Sequence, residues 1–212
     1  MPELRVDLVL LNLRESRLRV LLEADDDQVS WRFPGQALDE GRSLEDTAHA
    51  CLERVAGRAE AYLEQLYTYG DPARVPGRRI VSCVYLGLLR SGERARNAED
   101  SLNWRDAAEP PPLQFDHRAI LEYALTRLRY KLEYTAVGFE LLPQTFTLSE
   151  LQRAYEAVLG EPLDKRNFRR RIQGAGVIEP SKAFRTGEGR PARLYRYRDD
   201  AVAEVRARRL FP

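Results

Sequence analysis

Two helical segments separated by a short turn lie near the end of the chain, and this pattern constrains the fold more than any other. Thr147-Leu-Ser-Glu150 is a capping box, in which the Thr and Glu side chains each accept a backbone N–H of the other residue. Gly160-Glu-Pro-Leu163 predicts a turn, and Asp164 predicts the N-cap of a second helix. Two helices joined by a tight turn predict a helix-turn-helix.

The residues after the second helix predict a β-hairpin. Gly174-Ala-Gly176 ends the helix, Val177-Ile-Glu179 begins a strand, and Leu194-Tyr-Arg-Tyr197 returns after a glycine-rich tip at residues 187–191. The order helix, helix, hairpin predicts the winged form of the helix-turn-helix. Apolar spacing places Phe168 and Ile172 inward on the second helix, with its basic residues outward.

Charge is segregated along the chain. Residues 164–198 hold 11 Lys and Arg against 3 Asp and Glu, whereas residues 1–163 hold 20 basic and 27 acidic residues. A phosphate backbone attracts Lys and Arg regardless of base sequence, so double-stranded DNA is the first partner to consider. A basic but merely solvated helix and hairpin is the alternative.

The second helix of a helix-turn-helix enters the major groove, with its N-terminal residues near the base edges. Arg pairs with guanine and Asn with adenine, so the residue types in this segment suit base reading as well as phosphate contact. The candidate DNA-binding residues are Lys165, Arg166, Asn167, Arg169 and Arg170 on the helix, with Arg190 and Arg193 on the hairpin.

The first part of the chain reads as a mixed α/β domain of residues 1–114. The pattern predicts a hairpin at residues 5–22, a strand from Trp31 stopped by Pro34 and Gly35, and a helix between Ser43 and Gly57. Further strands are predicted at residues 62–69, 79–89 and 102–105. Residues 115–142 then form a connector, and the winged domain occupies residues 143–212.

The connector begins with Phe115-Asp-His-Arg118, which leads directly into a long helix predicted from Asp116 through Leu132. One stripe of apolar residues runs along it, and we expect this stripe to pack within its own chain; a second copy of the chain is the alternative. The stripe consists of Ile120, Leu121, Ala124, Leu125 and Leu128.

Composition excludes several classes of protein. No apolar run approaches the roughly 20 residues of a membrane span, and no charged-then-apolar signal segment opens the chain, so we expect a cytoplasmic protein without membrane contact. Cys51 and Cys83 share no metal-ligand spacing with His49 or His117. We therefore predict neither a metal site nor a cofactor.

Residues 34–57 resemble the Nudix box, whose pattern is Gly-x5-Glu-x7-Arg-Glu-U-x-Glu-Glu-x-Gly-U with U aliphatic. In that family the box forms a loop-helix-loop that holds a divalent metal on a diphosphate. An ungapped alignment keeps the structural positions, at Pro34, Gly35, Gly41, Ser43, Leu44, Leu52 and Gly57.

The functional positions of the box are replaced. The opening glycine, the loop Glu, the Arg and the three helix Glu correspond to Gln36, Arg42, Ala50, Cys51, Arg54 and Val55. Hard divalent cations need several oxygen ligands, so we predict no catalytic residues and no hydrolysis. The alternative is a Nudix hydrolase of ADP-ribose or a similar nucleoside diphosphate.

A Nudix-like pocket without its metal can still bind a nucleotide-like ligand. The guanidinium groups of Arg42 and Arg54 are candidates to replace the charge of the metal. Trp31, Arg32 and Phe33 precede the box, where aromatic faces suit a base and a guanidinium suits a phosphate. These five residues are the candidate effector site.

Five blocks in the second half of the chain complete the pattern: Phe139-Glu-Leu-Leu-Pro143, Phe146-Thr-Leu, Leu151-Gln-x-Ala-Tyr155, residues 163–172 and residues 189–196. Together with the degenerate box, they resemble the Nudix-related transcriptional regulators, the NrtR family. The resemblance implies an α+β fold, with an N-terminal Nudix-like α/β/α sandwich around a mixed sheet and a C-terminal winged helix-turn-helix domain.

The resemblance also implies a function. It predicts a bacterial homodimer that represses genes of NAD biosynthesis or salvage and leaves DNA when ADP-ribose or a related NAD metabolite binds. Some relatives respond to sugars, so a sugar-responsive regulator of the same architecture stays an alternative. A further alternative is a scaffold whose basic end binds acidic protein or RNA, although no aromatic stacking platform for single strands accompanies the basic residues.

Overall fold

The computed structural model describes residues 1–25, 29–57, 61–91, 103–134, 136–186 and 191–198. The chain divides into two units. The first comprises residues 1–12, 19–89 and 93–124, and the second comprises residues 13–18, 90–92 and 125–212. The boundaries predicted from the sequence, at residues 114 and 142, remain a prediction.

A six-stranded mixed sheet organises the first unit. Five strands lie in the order β6 (Tyr62–Tyr69), β7 (Ile80–Leu89), β1 (Glu3–Arg14), β2 (Arg17–Leu21) and β8 (Trp104–Asp106), and β5 (Gly35–Ala37) also pairs with β1. The β1–β7 pair is parallel, whereas β6–β7, β2–β8 and β1–β5 are antiparallel. Residues 6–12 of the central strand are all buried, which explains why this segment reads as a nearly continuous apolar run.

The predicted hairpin is confirmed, and its turn has a simple physical basis. Glu15 and Ser16 connect β1 to β2 with φ values of 51° and 61°. Two consecutive residues with positive φ are the signature of a type I′ turn, whose twist matches that of the flanking strands. Neither residue is glycine, so both adopt the left-handed region at some conformational cost.

Helix α1 (Leu44–Ala56) packs its apolar face on the sheet, as its spacing predicts. The Ser43 side chain accepts the Asp46 N–H at 3.0 Å and caps the first turn. Gly57 ends the helix with φ 60°, and its N–H donates to the Glu53 carbonyl. Cys51 and Leu52 are fully buried in the core beneath α1.

The strand predicted from Trp31 and stopped by Pro34 and Gly35 is confirmed as β4 (Trp31–Arg32). A second short strand that the sequence did not predict, β5, begins at Gly35 after Phe33 and Pro34. β4 pairs with β3 (Glu23–Ala24), while β5 pairs with β1. Gly35 therefore begins a strand and lies directly against β1, where the absence of a side chain permits close approach.

Helix α2 (His117–Tyr134) confirms the predicted connector helix. All five residues of its apolar stripe are at most 8% exposed, so the stripe packs within the chain as predicted. Among the described helices, none is both long and apolar enough to span a membrane.

The second unit contains a 3-10 helix (Ala136–Leu141), α3 (Leu148–Leu159), α4 (Lys165–Gly174) and the strands β9 (Ile178–Arg185) and β10 (Ala192–Tyr197). This order confirms the winged helix-turn-helix. Its core includes the ring of Tyr155 against that of Phe168, with centroids 5.5 Å apart. Phe146 exchanges two backbone hydrogen bonds with Tyr195, so the chain before α3 pairs with the hairpin.

Candidate functional site

The N-terminal turn of α4 presents a basic surface. The Asp164 side chain accepts the Asn167 N–H at 2.7 Å and fixes where the helix begins. Lys165, Arg166 and Arg170 are exposed, whereas Phe168 and Ile172 face inward, as predicted. A shallow depression of about 680 Å³ on this surface is lined by Asp164, Lys165, Arg166, Arg169, Arg170 and Gln173.

Asn167 and Arg170 form a hydrogen-bonded pair on this surface. The Arg170 guanidinium donates to the Asn167 side-chain oxygen at 3.0 Å. The pair is spaced i, i+3, so both side chains lie on one face of the helix. An amide and a guanidinium held together offer the two chemical groups that pair with adenine and guanine edges.

Arg169 differs from the outward position that the sequence predicts. Its side chain is half-buried, and its guanidinium donates to the Ser149 hydroxyl in the first turn of α3 at 3.2 Å. Its Nε has no hydrogen-bond partner among the described residues. Because α3 and α4 pack closely, Arg169 is tied to the neighbouring helix more than Arg166 or Arg170 is.

The hairpin of β9 and β10 presents a second basic surface. Arg193 and Phe184 are partners in the strand register, and the Arg193 guanidinium carbon lies 5.6 Å from the Phe184 ring centroid. Both side chains are exposed, with Phe184 at 51%. Arg190 lies outside the described residues. Sequence reasoning missed Phe184, for which the only signal was a large aromatic in a polar strand.

Other basic residues of the hairpin are paired internally. Arg196 forms an ion pair with Glu179, and Arg185 forms one with Glu150. Arg198 donates to the Gly176 carbonyl at 2.7 Å. The basic excess of this segment is therefore partly neutralised.

In the first unit, Arg54 lies at the centre of a small polar cluster. Its guanidinium contacts Glu23 Oε1 at 2.9 Å, the Gly35 carbonyl at 3.3 Å and Cys51 Sγ at 3.5 Å. Arg32 Nε lies 3.7 Å from the other oxygen of Glu23. The Glu23 carboxylate therefore bridges the guanidinium groups of Arg32 and Arg54, which the sequence predicted as effector residues for separate reasons. Glu23 itself belongs to none of the sequence motifs, so it was not predicted.

The remaining predicted effector residues occupy different surroundings. Trp31 is partly exposed, and the Arg105 guanidinium carbon lies 4.1 Å from its ring centroid. Arg42 is half-exposed and lies 4.0 Å from Asp39, without a contact to the Glu23 cluster. Phe33 is only 1% exposed, so its ring packs inward in this structure.

Phe33 packs against His117, the first residue of α2. Burial lowers the pKa of His117 to about 4, the charges of Asp7 and Asp116 opposing this shift. The imidazole is therefore neutral near pH 7. Its Nδ1 accepts the Phe33 N–H at 3.0 Å, which places the ring proton on Nε2.

The donor set of the Nudix-like box does not fit a divalent metal. The positions of two helix glutamates hold Cys51, which is fully buried, and Arg54, which is cationic. Burial raises the pKa of the Cys51 thiol, although the neighbouring Arg54 opposes the shift. In the part of the chain that the structure describes, no group of three or more His, Cys, Asp or Glu side chains is placed to hold a metal ion.

Comparisons with known proteins extend these observations. A family model for the NrtR DNA-binding winged helix domain matches residues 138–197. The chain is 34% identical over 206 residues to the ADPR responsive transcriptional repressor NtrR of Acinetobacter baylyi, an alignment that covers 92% of this chain and 82% of the relative.

Two solved structures resemble nearly the whole chain. Shewanella oneidensis NrtR complexed with a 27mer DNA matches with a TM-score of 0.82 and 32% identity, covering 97% of this chain and 96% of that one. A MutT/nudix family protein from Enterococcus faecalis matches with a TM-score of 0.69 and 23% identity, covering 93% of this chain and 87% of that one. At 23% identity, the similarity to the Enterococcus faecalis protein concerns the fold alone.

Proposed function

This chain belongs to the NrtR family of Nudix-related transcriptional regulators, and from that membership we propose that it is a DNA-binding repressor controlled by a nucleotide effector. The relative from Acinetobacter baylyi is an ADP-ribose-responsive repressor, and the Shewanella oneidensis relative was crystallised with DNA. The partner of the basic α4 surface is then an operator in double-stranded DNA, and the effector is ADP-ribose or a related nucleotide.

One observation carries the DNA-binding half of the proposal. The first two turns of α4 expose Lys165, Arg166 and Arg170, and they hold Asn167 beside Arg170. A recognition helix needs this combination, because cations bind phosphates of any sequence whereas the amide and guanidinium planes discriminate bases. Arg193 on the hairpin adds a further contact to the backbone or the minor groove.

We further propose that the protein acts as a homodimer. Two recognition helices must lie about 34 Å apart to occupy successive major grooves of one operator face. An effector releases DNA only if it prefers a dimer arrangement that breaks this spacing. We propose that the connector helix α2 couples effector binding to this change of dimer arrangement.

The effector site that we propose centres on Glu23, Arg32 and Arg54, with Trp31 beside them. Arg32 and Arg54 both pair with the negative carboxylate of Glu23. A diphosphate is also negatively charged, and guanidinium groups bind phosphate oxygens in bidentate fashion. Trp31 offers a ring face to a base or ribose. Arg42 remains a candidate effector residue outside this cluster, whereas the ring of Phe33 is buried against His117.

Such a site would bind its ligand without hydrolysing it. Metal-assisted attack on a diphosphate requires carboxylates that hold the metal, and the box supplies a thiol and a guanidinium at two of those positions. We therefore propose that the Nudix-like unit is a sensor and not an enzyme. Its cytoplasmic location and the control of NAD biosynthesis or salvage genes remain predictions.

The decisive experiment measures binding of the purified protein to its own upstream intergenic DNA at two salt concentrations. It is done with and without ADP-ribose, and without added metal. We expect tight, salt-sensitive binding that ADP-ribose relieves. Binding that ADP-ribose leaves unchanged would discard this effector and direct the search to sugars, whereas release of phosphate products with Mg²⁺ or Mn²⁺ would overturn the sensor assignment.

A further inference from the structure

We propose that Glu150 and Arg185 form a positioning pair, which holds the hairpin in the orientation needed for DNA binding without either residue touching DNA. The inference rests on the proposed DNA-binding function. It concerns two residues that no sequence motif connects, since they lie 35 positions apart on α3 and at the end of β9.

The two oxygens of the Glu150 carboxylate have separate partners. Oε2 accepts the Thr147 N–H at 2.8 Å and the Thr147 hydroxyl at 3.0 Å, which completes the capping box of α3. Oε1 accepts a hydrogen bond from Arg185 Nη1. One side chain thus joins the start of α3 to the hairpin, and the Glu150 side chain is only 22% exposed.

The pair supplies a further attachment point for the hairpin, distant from its base. At the base, Phe146 and Tyr195 exchange two backbone hydrogen bonds, and the Tyr197 ring lies 4.8 Å from that of Phe139. Tyr195 sits opposite Pro180 in the register of β9. Arg185 lies five residues further along β9, about 17 Å at the rise of a strand. A hairpin held only at its base can pivot there, whereas a further contact at the other end of β9 restricts the pivot.

Charge makes Glu150 necessary for this contact. The N-terminal end of a helix carries partial positive charge, so a guanidinium near the first turn of α3 is disfavoured unless a carboxylate offsets it. Ser149, the adjacent residue, accepts the hydrogen bond from Arg169 of α4. The first turn of α3 therefore holds both the recognition helix and the hairpin, and fixes one with respect to the other.

An arginine engaged in this way differs from one that binds phosphate. Removing a phosphate contact flattens the dependence of log K on log salt by about 0.9 per contact, whereas removing a positioning contact leaves that slope unchanged. We expect Arg185→Ala to weaken operator binding roughly threefold to fivefold, the scale of a partly exposed ion pair, without changing the slope. Arg185→Lys should recover most of the affinity.

The test is a double-mutant cycle with Glu150→Gln, Arg185→Ala and their combination. Glutamine retains an oxygen for the Thr147 N–H, so α3 keeps its cap while the ion pair is lost. The double variant should bind no more weakly than the weaker single variant, because both changes remove one interaction. Arg196→Ala is the matched control, because Arg196 pairs with Glu179 inside the hairpin. This variant should leave the ratio of operator affinity to nonspecific DNA affinity unchanged.

Hydrogen exchange of the DNA-free protein provides an independent readout. We expect faster exchange of the β9 and β10 amides in Arg185→Ala and Glu150→Gln, with α4 unchanged. Unchanged exchange in both variants, additive losses in the cycle, or a slope that falls by about 0.9 with Arg185→Ala would each overturn the proposal. If wild-type protein fails to bind duplex DNA, the proposed function fails, while the exchange result still decides whether the pair positions the hairpin.

Discussion

The Phe33 N–H donates to Nδ1 of His117 at 3.0 Å, and the two rings stack with centroids 4.6 Å apart and planes 11° from parallel. The contact ties the segment after β4 to the first residue of α2. His117 is 5% exposed, and burial lowers its pKa to about 4, so the imidazole is neutral near pH 7. Protonation of Nδ1 would also place a donor against the Phe33 N–H. The stability of the first unit therefore depends on an uncharged imidazole.

The first prediction concerns pH. The folded-state pKa of His117, about 4, lies below the ordinary 6.5, so the unfolded chain binds its proton first and stability falls as pH drops from 6.5 towards 4. Between pH 7.5 and 5 this group removes about 2 kcal/mol from the free energy of unfolding. Denaturant titrations at pH 7.5 and pH 5 measure the free energy of unfolding of wild type and His117→Asn. On this change of pH, the variant should lose about 2 kcal/mol less of that free energy than wild type does. Equal losses in both proteins would contradict the assignment.

The second prediction concerns Gly35. A Cβ at this position would lie 2.0 Å from Asp7 Oδ1 and 2.8 Å from the Val6 carbonyl, and the strand pairing of β5 with β1 prevents retreat. Gly35→Ala should lower the free energy of unfolding by about 1–3 kcal/mol. Gly41→Ala is the matched control, because no atom lies within 4 Å of its Cβ. Equal stability of the two variants in denaturant titrations would show that β1 and β5 separate easily.

The third prediction concerns the recognition helix. Arg170→Ala should weaken binding to the operator and reduce the slope of log K against log salt by about 0.9 if its guanidinium reaches a phosphate. A base contact would instead relax specificity at one operator position by about 1–3 kcal/mol. Arg78→Ala, an exposed arginine of the first unit, serves as the control. Operator titrations that match wild type in both affinity and specificity would move the interface away from Arg170.

The fourth prediction concerns the effector. Arg54→Gln removes a cation that we place against the diphosphate, and the loss of a charge-assisted hydrogen bond should weaken ADP-ribose binding roughly tenfold or more. Arg79→Ala is the control, because Arg79 contacts the Gly70 carbonyl and takes no part in the Glu23 cluster. Calorimetry without added metal measures both. A variant that binds ADP-ribose as wild type does would exclude Arg54 from the site.

A companion variant separates the two roles of the Glu23 cluster. Glu23→Gln leaves Arg32 and Arg54 without their shared carboxylate, so their charge becomes fully available to a ligand. If Glu23 competes with the diphosphate, this variant should bind ADP-ribose more tightly than wild type. Weaker binding in the same calorimetric titration would indicate that Glu23 instead orients the two guanidinium groups.

Local hydrogen bonds explain what the sequence predicted well. The caps at Ser43, Thr147 and Asp164 and the left-handed end at Gly57 each involve residues within four positions of one another. Their geometry is therefore fixed by the adjacent sequence. The same holds for the apolar stripe of α2, whose period alone determines which face is buried.

Contacts between distant residues account for what sequence patterns did not reveal. The strand β5 was not predicted, because it forms only where Gly35 pairs with Asp7 of β1, 28 positions earlier in the chain. Phe33 points inward because His117, 84 positions away, completes its surroundings.

The sequence by itself determined the winged helix-turn-helix and the basic character of α4, because periodicity, caps and charge are properties of neighbouring residues. The Nudix-like architecture was indicated by the resemblance of residues 34–57 to the Nudix box. Only the tertiary structure decided which basic side chains are engaged by other residues of the protein and which are available to DNA or a ligand. Glu23 engages Arg32 and Arg54, Ser149 holds Arg169, and Glu150 holds Arg185. Each pairing joins side chains from different elements, and the folded chain alone brings them within hydrogen-bonding or ion-pairing distance.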